Sequence, residues 1–333
     1  MSEIGTGISF VGQTVVVTGG GNGLGRAYAL EFGRRGANVV VNDPGVDPWG
    51  RGGDPGPADS VAAEIARAGG SAVACYYSVS SLEGGASIVQ SALEAFGDIH
   101  AVINNAGNRD PASFADMTED AFSSVLRTHL YGAFYVSQAA FRVMARRRYG
   151  RLVFVSSNTA LFGTAGLANY AAAKTAIIGL ANVIGVEGAP FGITANVVLP
   201  VAPTPRGMSV HGALSTTGLA EHADAPGSPH RADHGQHAYM SPGQIAPLVV
   251  ALASRPCNRS RRMYSIGYGR IADTFIGVTR GWYPPDVDGF SAEDILAHIW
   301  DIENRDDYIA PRSPAEEKES VLWYMSHGHQ ERA

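Results

Sequence analysis

Apolar residues alternate between two rhythms along this chain. The short runs TVVVT (14–18), NVVVND (38–43), SAVACYY (71–77), HAVINNAG (100–107), RLVFVSS (151–157) and GITANVVLP (192–200) are apolar or small at nearly every position. Strands buried on both faces of a parallel sheet have this pattern. Between them lie longer stretches with apolar residues three and four apart, the spacing of a helix with one buried face. These are LGRAYALEFGRRG, ADSVAAEIARAGG, a segment around 82–96, a long region from about 119 to 147 and another from about 168 to 188. A helix near 242–254 and a strand near 262–267 follow. The alternation predicts an α/β fold with a doubly wound parallel sheet covered by helices on both faces.

Two stretches break the rhythm. Residues 44–57, PGVDPWGRGGDPGP, are too rich in proline and glycine for a regular element and are expected to form a loop. Residues 201–240 are polar and rich in His, Gly and Ser, the length and composition of a lid over a site. The predicted organisation is one domain over 10–270, with that lid at about 201–240. A C-terminal extension over 271–333 carries Trp282, Trp300 and Trp323, expected to bury against the main domain or a partner subunit.

Composition narrows the function. The chain has 333 residues, 45% hydrophobic and 17% charged, enough to bury a core without disulfide or metal staples. A net charge of −6 argues against nucleic acid or an anionic membrane as partner. The two cysteines, Cys75 and Cys257, lack metal-ligand spacing. His230, His234 and His237 form HxxxHxxH, but no accompanying helical pattern or carboxylate supports a metal site, so none is expected. No apolar run of roughly 18–20 residues is evident. MSEIGTGISF lacks the features of a secretory leader, and HGHQERA is not a peroxisomal address. The expectation is a soluble, cytoplasmic protein acting on a small molecule.

The chemistry sits where strands give way to helices. TGGGNGLG (18–25) places Gly19, Asn22, Gly23, Leu24 and Gly25 between the first strand and first helix. Glycines there allow a tight turn and let a pyrophosphate approach the amides of the helix N-terminus. Asp43 closes the second strand, 18 residues beyond Gly25. A carboxylate at that point can accept hydrogen bonds from the adenosine ribose. It would repel a 2′-phosphate by about 4 kcal/mol at 4 Å and an effective dielectric of 20, before salt screening. That favours NAD over NADP, although Asp also suits the turn NDPG.

Ser157, Tyr170 and Lys174 raise a second possibility. Tyr170 and Lys174 are four apart on a predicted helix and share a face. Tyrosine ordinarily titrates near 10, so acid–base work at neutral pH calls for a neighbouring cation that favours the phenolate. Ser157 ends a parallel strand, where such sheets present ligands.

Together, TGxxxGxG at 18–25, NNAG at 104–107, Ser157 and Tyr170-xxx-Lys174 resemble the short-chain dehydrogenase/reductases over roughly residues 10–270. The resemblance implies a Rossmann-type fold with a seven-stranded parallel sheet and a bound nicotinamide dinucleotide. It implies Tyr170 as general acid/base, Ser157 as the residue orienting the substrate oxygen, and Lys174 as ligand of the nicotinamide ribose. Asn105, Ala106 and Gly107 would line the adenosine side. Where the superfamily usually has asparagine in N-x-x-G, this chain has His129 in THLYGAFYV. Together with VNDPG and YGRLVFVSSNTALFGTAGLANYAAAK, that resembles the (3R)-hydroxyacyl-CoA dehydrogenase domain of multifunctional enzyme type 2 and related bacterial 17β-hydroxysteroid dehydrogenases. By this resemblance Ser78 and Val79 contact adenine, and Pro200 and Thr204 serve the carboxamide and phosphates. His129 either holds a water that relays protons from Lys174 or is a hydrogen-bonded core residue in a kinked helix.

The reading is an NAD-dependent dehydrogenase of secondary alcohols, assembled as a homodimer or homotetramer through its two long helices. Its substrate class is hydroxyacyl-CoA or hydroxysteroid. Arg206, Arg231 and the run RSRR (259–262) are the cations available to CoA phosphates. The alternatives are a small or terpene-alcohol dehydrogenase, and a non-catalytic dinucleotide-sensing binding protein.

Overall fold

The computed structural model describes residues 7–201, 241–284 and 289–327. The chain divides into two units, Met1–Asp273 and Thr274–Ala333. The first is built on a sheet of β1 (Thr14–Thr18), β2 (Asn38–Asn42), β3 (Ser71–Cys75), β4 (Ala101–Asn104), β5 (Gly150–Val155), β6 (Ile193–Pro200), β7 (Met263–Gly267) and β8 (Arg270–Thr274). Their spatial order is β3-β2-β1-β4-β5-β6-β7-β8. The first seven run parallel in the pairings β1–β2, β2–β3, β1–β4, β4–β5, β5–β6 and β6–β7. The sequence predicts seven strands; the eighth is an addition. Tyr268 and Gly269, with φ of 52° and 77°, make the two-residue turn that reverses the chain, so β8 adds antiparallel to the edge.

The strand period of two sorts side chains into two cores. Val15 and Val17 enter one core and Val16 the other. The same split separates Val39 and Val41 from Val40, and Val153 and Val155 from Leu152 and Phe154. On the first face pack α1 (Gly23–Arg34), α2 (Gly56–Arg67) and α8 (Pro242–Ala253), through Tyr28, Phe32, Ile65 and Val249. On the second pack α3 (Leu82–Phe96), α5 (Gly132–Arg147) and α7 (Ala168–Gly188), through Ile88, Val136 and Ile177. This is why the central strands read as continuous apolar runs.

Local signals set the helix ends. Ser81 Oγ accepts the Gly84 N–H ahead of α3, and Thr118 Oγ1 accepts the Ala121 N–H ahead of α4 (Glu119–Leu126). α2 begins at Gly56 with Pro57 in its first turn, two residues inside the predicted loop. The long region from 119 to 147 is not one regular helix. A π-helical turn, Arg127–Tyr131, joins α4 to α5 and carries His129. The stretch Ala168–Phe191 is long and apolar enough to cross a membrane by length and composition alone, which the sequence reading does not single out. Here it contains α7, packed on β6.

The second unit pairs β9 (Val278–Thr279) antiparallel to β10 (Tyr308–Ile309) and contains α9 (Ala292–Ala297), α10 (Ile299–Ile302) and α11 (Pro314–His327). Ser291 and Asp294 form a capping box at α9. Within this unit Trp282 stacks on His298 at 4.3 Å, and Arg280 pairs with Asp307.

Candidate active site

The C-terminal ends of β1, β2, β4, β5 and β6 open into one cavity of about 370 Å³, lined from Gly19 to Pro200. Parallel strands end there with their carbonyls, while helices begin with unpaired amides, so ligands collect at this edge. α1 begins there with no side chain capping its N-terminus. Gly23 lies on the cavity wall at φ +52°, and a Cβ on it would meet no protein atom within 4 Å. A side chain there would occupy the open space instead.

NNAG clamps this turn to β4. The Asn105 and Ala106 N–H groups donate to Thr18 Oγ1 at 3.0 and 3.1 Å, and Asn105 Nδ2 donates to the Thr18 and Gly19 carbonyls. Asn104 Nδ2 reaches Ser137 Oγ on α5 at 2.9 Å. Asp43 is buried in the same wall. Its Oδ2 accepts from the Gly21 N–H at 3.0 Å and its Oδ1 from the Gly45 N–H at 2.8 Å. The carboxylate is thus held facing the glycine turn with acceptor capacity to spare. An uncapped helix N-terminus, open space at Gly23 and an oriented carboxylate fit a nicotinamide dinucleotide.

The loop after Asp43 is ordered by its own polar groups. Asp47 Oδ1 accepts from the Trp49 and Arg51 N–H groups. The loop then folds onto the segment after NNAG. The Arg109 N–H donates to the Pro48 carbonyl at 2.9 Å, and Asn108 Nδ2 donates to Ser124 Oγ at 3.0 Å. Val46 and Pro48 thereby line the cavity.

The reactive groups meet deeper in. α7 is tied to the end of β5 by Ser156 Oγ, which donates to the Lys174 carbonyl at 2.8 Å. Lys174 is buried, and its Nζ donates to the Val155 carbonyl at 2.5 Å and stands 5.6 Å from the Tyr170 ring centre. Burial, with the Arg109 cation adding, pushes Lys174 down to about 7 from its usual 10.5. Ser157 Oγ accepts the Thr159 N–H at 3.2 Å. The His129 ring meets the Tyr170 ring edge-on at 5.2 Å, and its Nε2 faces the Asn108 main chain, 2.8 Å from O and 3.2 Å from N. The Arg109 guanidinium covers the Tyr170 ring, its carbon 4.6 Å from the centroid.

The structure brings together Gly19, Asn22, Gly23, Leu24, Asp43, Asn105, Gly107, His129, Ser157, Tyr170, Lys174 and Pro200 around the cavity. Gly25 and Ala106 pack behind it. Ser78 and Val79 are not on its wall, and Val79 is buried against Gly132. Thr204, the lid and its histidines lie outside the described residues, as do Arg206 and Arg231. The run RSRR precedes β7, and the Arg261 N–H donates to the Ala195 carbonyl near the start of β6. That is the sheet edge opposite the cavity, so RSRR does not serve a ligand bound there.

Sequence reasoning misses Asn108, Arg109, Val46, Pro48, Val155 and Ser156. Arg109 had a usable signal, two residues beyond NNAG; the loop residues had none, because their approach depends on contacts across the fold.

A doubly wound sheet whose cavity joins a glycine turn to Ser157, Tyr170 and Lys174 fits an oxidoreductase. The model of the short chain dehydrogenase family matches residues 13–208, and the chain belongs to that family, whose dehydrogenases use nicotinamide dinucleotides. It is 35% identical over 314 residues to peroxisomal multifunctional enzyme A of Dictyostelium discoideum, covering 94% of this chain and 64% of that protein. It is 37% identical over 259 residues to the putative short-chain type dehydrogenase/reductase Rv0148 of Mycobacterium tuberculosis, covering 78% of this chain and 83% of that one. The structure of full-length peroxisomal multifunctional enzyme type 2 from Drosophila melanogaster superposes with a TM-score of 0.74 at 28% identity, over 96% of this chain and 50% of that one. The chain thus spans half to two thirds of these multifunctional proteins. The cytoplasmic expectation is overturned by the multifunctional relatives, which are named as peroxisomal. Cysteine scarcity and the terminal sequences say little about compartment.

Proposed function

We propose that this chain is an NAD-dependent dehydrogenase interconverting a secondary alcohol and a ketone, with (3R)-3-hydroxyacyl-CoA thioesters as substrate class. The observation that carries it is the buried Tyr170 ring, on the wall of the cavity that Ser157, Lys174 and the glycine turn also line. Bound NAD would supply the acceptor for the hydride released from the carbinol carbon. Gly19, Asn22 and Gly23 would hold its pyrophosphate at the α1 N-terminus, Asp43 its adenosine ribose, and Lys174 its nicotinamide ribose. Ser157 Oγ holds the substrate oxygen, and Tyr170 takes the hydroxyl proton as the carbonyl forms. His129 and Lys174 lie on the path by which that proton leaves. Ketone, reduced cofactor and one proton complete the balance.

Asp43 supports NAD, since a 2′-phosphate at this carboxylate would meet like charge. A steroid reading has no comparable support within the described residues. We also infer pairing with a second copy through α4, the π turn, α5 and α7, where Phe122, Tyr131, Phe134, Val183 and Val186 are exposed.

The test is NADH formation on (3R)- and (3S)-hydroxyacyl-CoA and 17β-hydroxysteroids, each repeated with NADP. Turnover of the (3R) thioester with NAD, at least about tenfold above NADP, is expected. Turnover of the steroid alone refutes the substrate class, and equal use of NADP refutes the role of Asp43.

A further inference from the structure

The cation over the Tyr170 ring has no charged partner among the described residues. Arg109 is half-buried on the cavity wall, and its backbone N–H is fixed to the Pro48 carbonyl. Among the described residues its guanidinium has no carboxylate within ion-pair distance and no hydrogen bond. The other cationic side chain on that wall, Lys174, is buried and committed to the Val155 carbonyl. Arg109 therefore offers a fork of unused donors beside the reacting centre.

We propose that Arg109 is a specificity-determining residue that binds an acyl oxygen two carbons from the reacting carbinol, the carbonyl of a 3-hydroxyacyl thioester. This rests on the function proposed above and extends it. With the guanidinium carbon 4.6 Å from the Tyr170 ring centre, the donors reach atoms only a few bonds from the carbon whose oxygen meets Tyr170 and Ser157. A CoA diphosphate, separated from that carbon by the whole pantetheine arm, is too remote to be what Arg109 holds. A carbonyl is the nearest acceptor that such a substrate presents, and a charged donor to it gives a stronger bond than a neutral one. A plain secondary alcohol leaves the fork unpaired. The site thus selects alcohols with a 3-hydroxyacyl pattern over those without it. A free 3-hydroxy acid presents the same acceptor as a carboxylate.

The experiment measures kcat/KM with NAD for three chain-matched substrates in wild type, R109Q and R109K: the (3R)-hydroxyacyl-CoA, the free (3R)-hydroxy acid and a 2-alkanol. The expected result is a thioester-to-alkanol ratio about 10- to 100-fold lower in R109Q, carried mainly by KM, with R109K in between. A larger loss for the free acid than for the thioester would identify a carboxylate as the natural acceptor and overturn the thioester assignment. R109K keeps the charge and guards against a failure of R109Q to fold. A fall in kcat that is equal for all substrates, with an unchanged ratio, overturns the inference and leaves the proposed function standing. Wild-type protein that oxidises alkanols but no thioester overturns both.

Discussion

Lys174 carries its amine into a site where the Val155 carbonyl is its hydrogen-bond acceptor and Arg109 is a nearby like charge. The folded protein binds this proton more weakly than the unfolded chain does. The resulting cost is absent above 10.5, grows as pH falls towards 7 and is complete below it, so this group makes stability rise with pH across that window. K174M is accordingly expected to abolish turnover and raise stability by roughly 1–2 kcal/mol at neutral pH, with the gain shrinking as pH rises. Thermal melts of both proteins across that range check this; a gain that grows with pH contradicts the assignment. Nearby residues follow the same logic of position over identity. Asp43 matters because two backbone amides aim it, and Arg109 because no carboxylate among the described residues pairs with it.

Elements meet at the site through one irregularity. Between α4 and α5 the backbone takes a single π turn, and His129 within it reaches the main chain beyond NNAG. Gly107 allows that approach: a Cβ on it would stand 2.2 Å from His129 Cε1. π turns inside α-helices often occur at functional positions. G107A is expected to destabilise the fold by about 1–3 kcal/mol and reduce turnover, because the imidazole must move. A G107A/H129A double variant should recover most of the stability and not the activity. Denaturant melts of the single and double variants decide it, and additive losses would show that the contact carries no strain.

At the scale of the molecule, the sheet supplies a rigid edge on which loops assemble the site. The loop after β2 crosses to the segment after β4 through the hydrogen bond from the Arg109 N–H to the Pro48 carbonyl. On the outside, aromatic and β-branched side chains are exposed along α4, the π turn, α5 and α7. Light scattering on eluted protein is expected to give a dimer or tetramer, and F134R to shift it towards monomer. A monomeric wild type at micromolar concentration would remove that pairing.

Much of this was readable before any coordinates. Val15–Val17, Val39–Val41 and Leu152–Val155 had to be two-sided strands, since only burial on both faces accommodates apolar residues at every position. The glycine turn, Asp43, Ser157, Tyr170 and Lys174 each follow a strand or share a helix face, so local periodicity places them at one edge. A kink at His129 was one of the two readings, but its form was not legible, because a π turn differs from regular helix by one residue and leaves no periodic trace. The strap from Val46 to Pro48 and the stacking of Arg109 on Tyr170 were equally hidden. Those depend on which segments meet across the sheet, and that contact, unlike the strand or helix period, is a property of the packed chain.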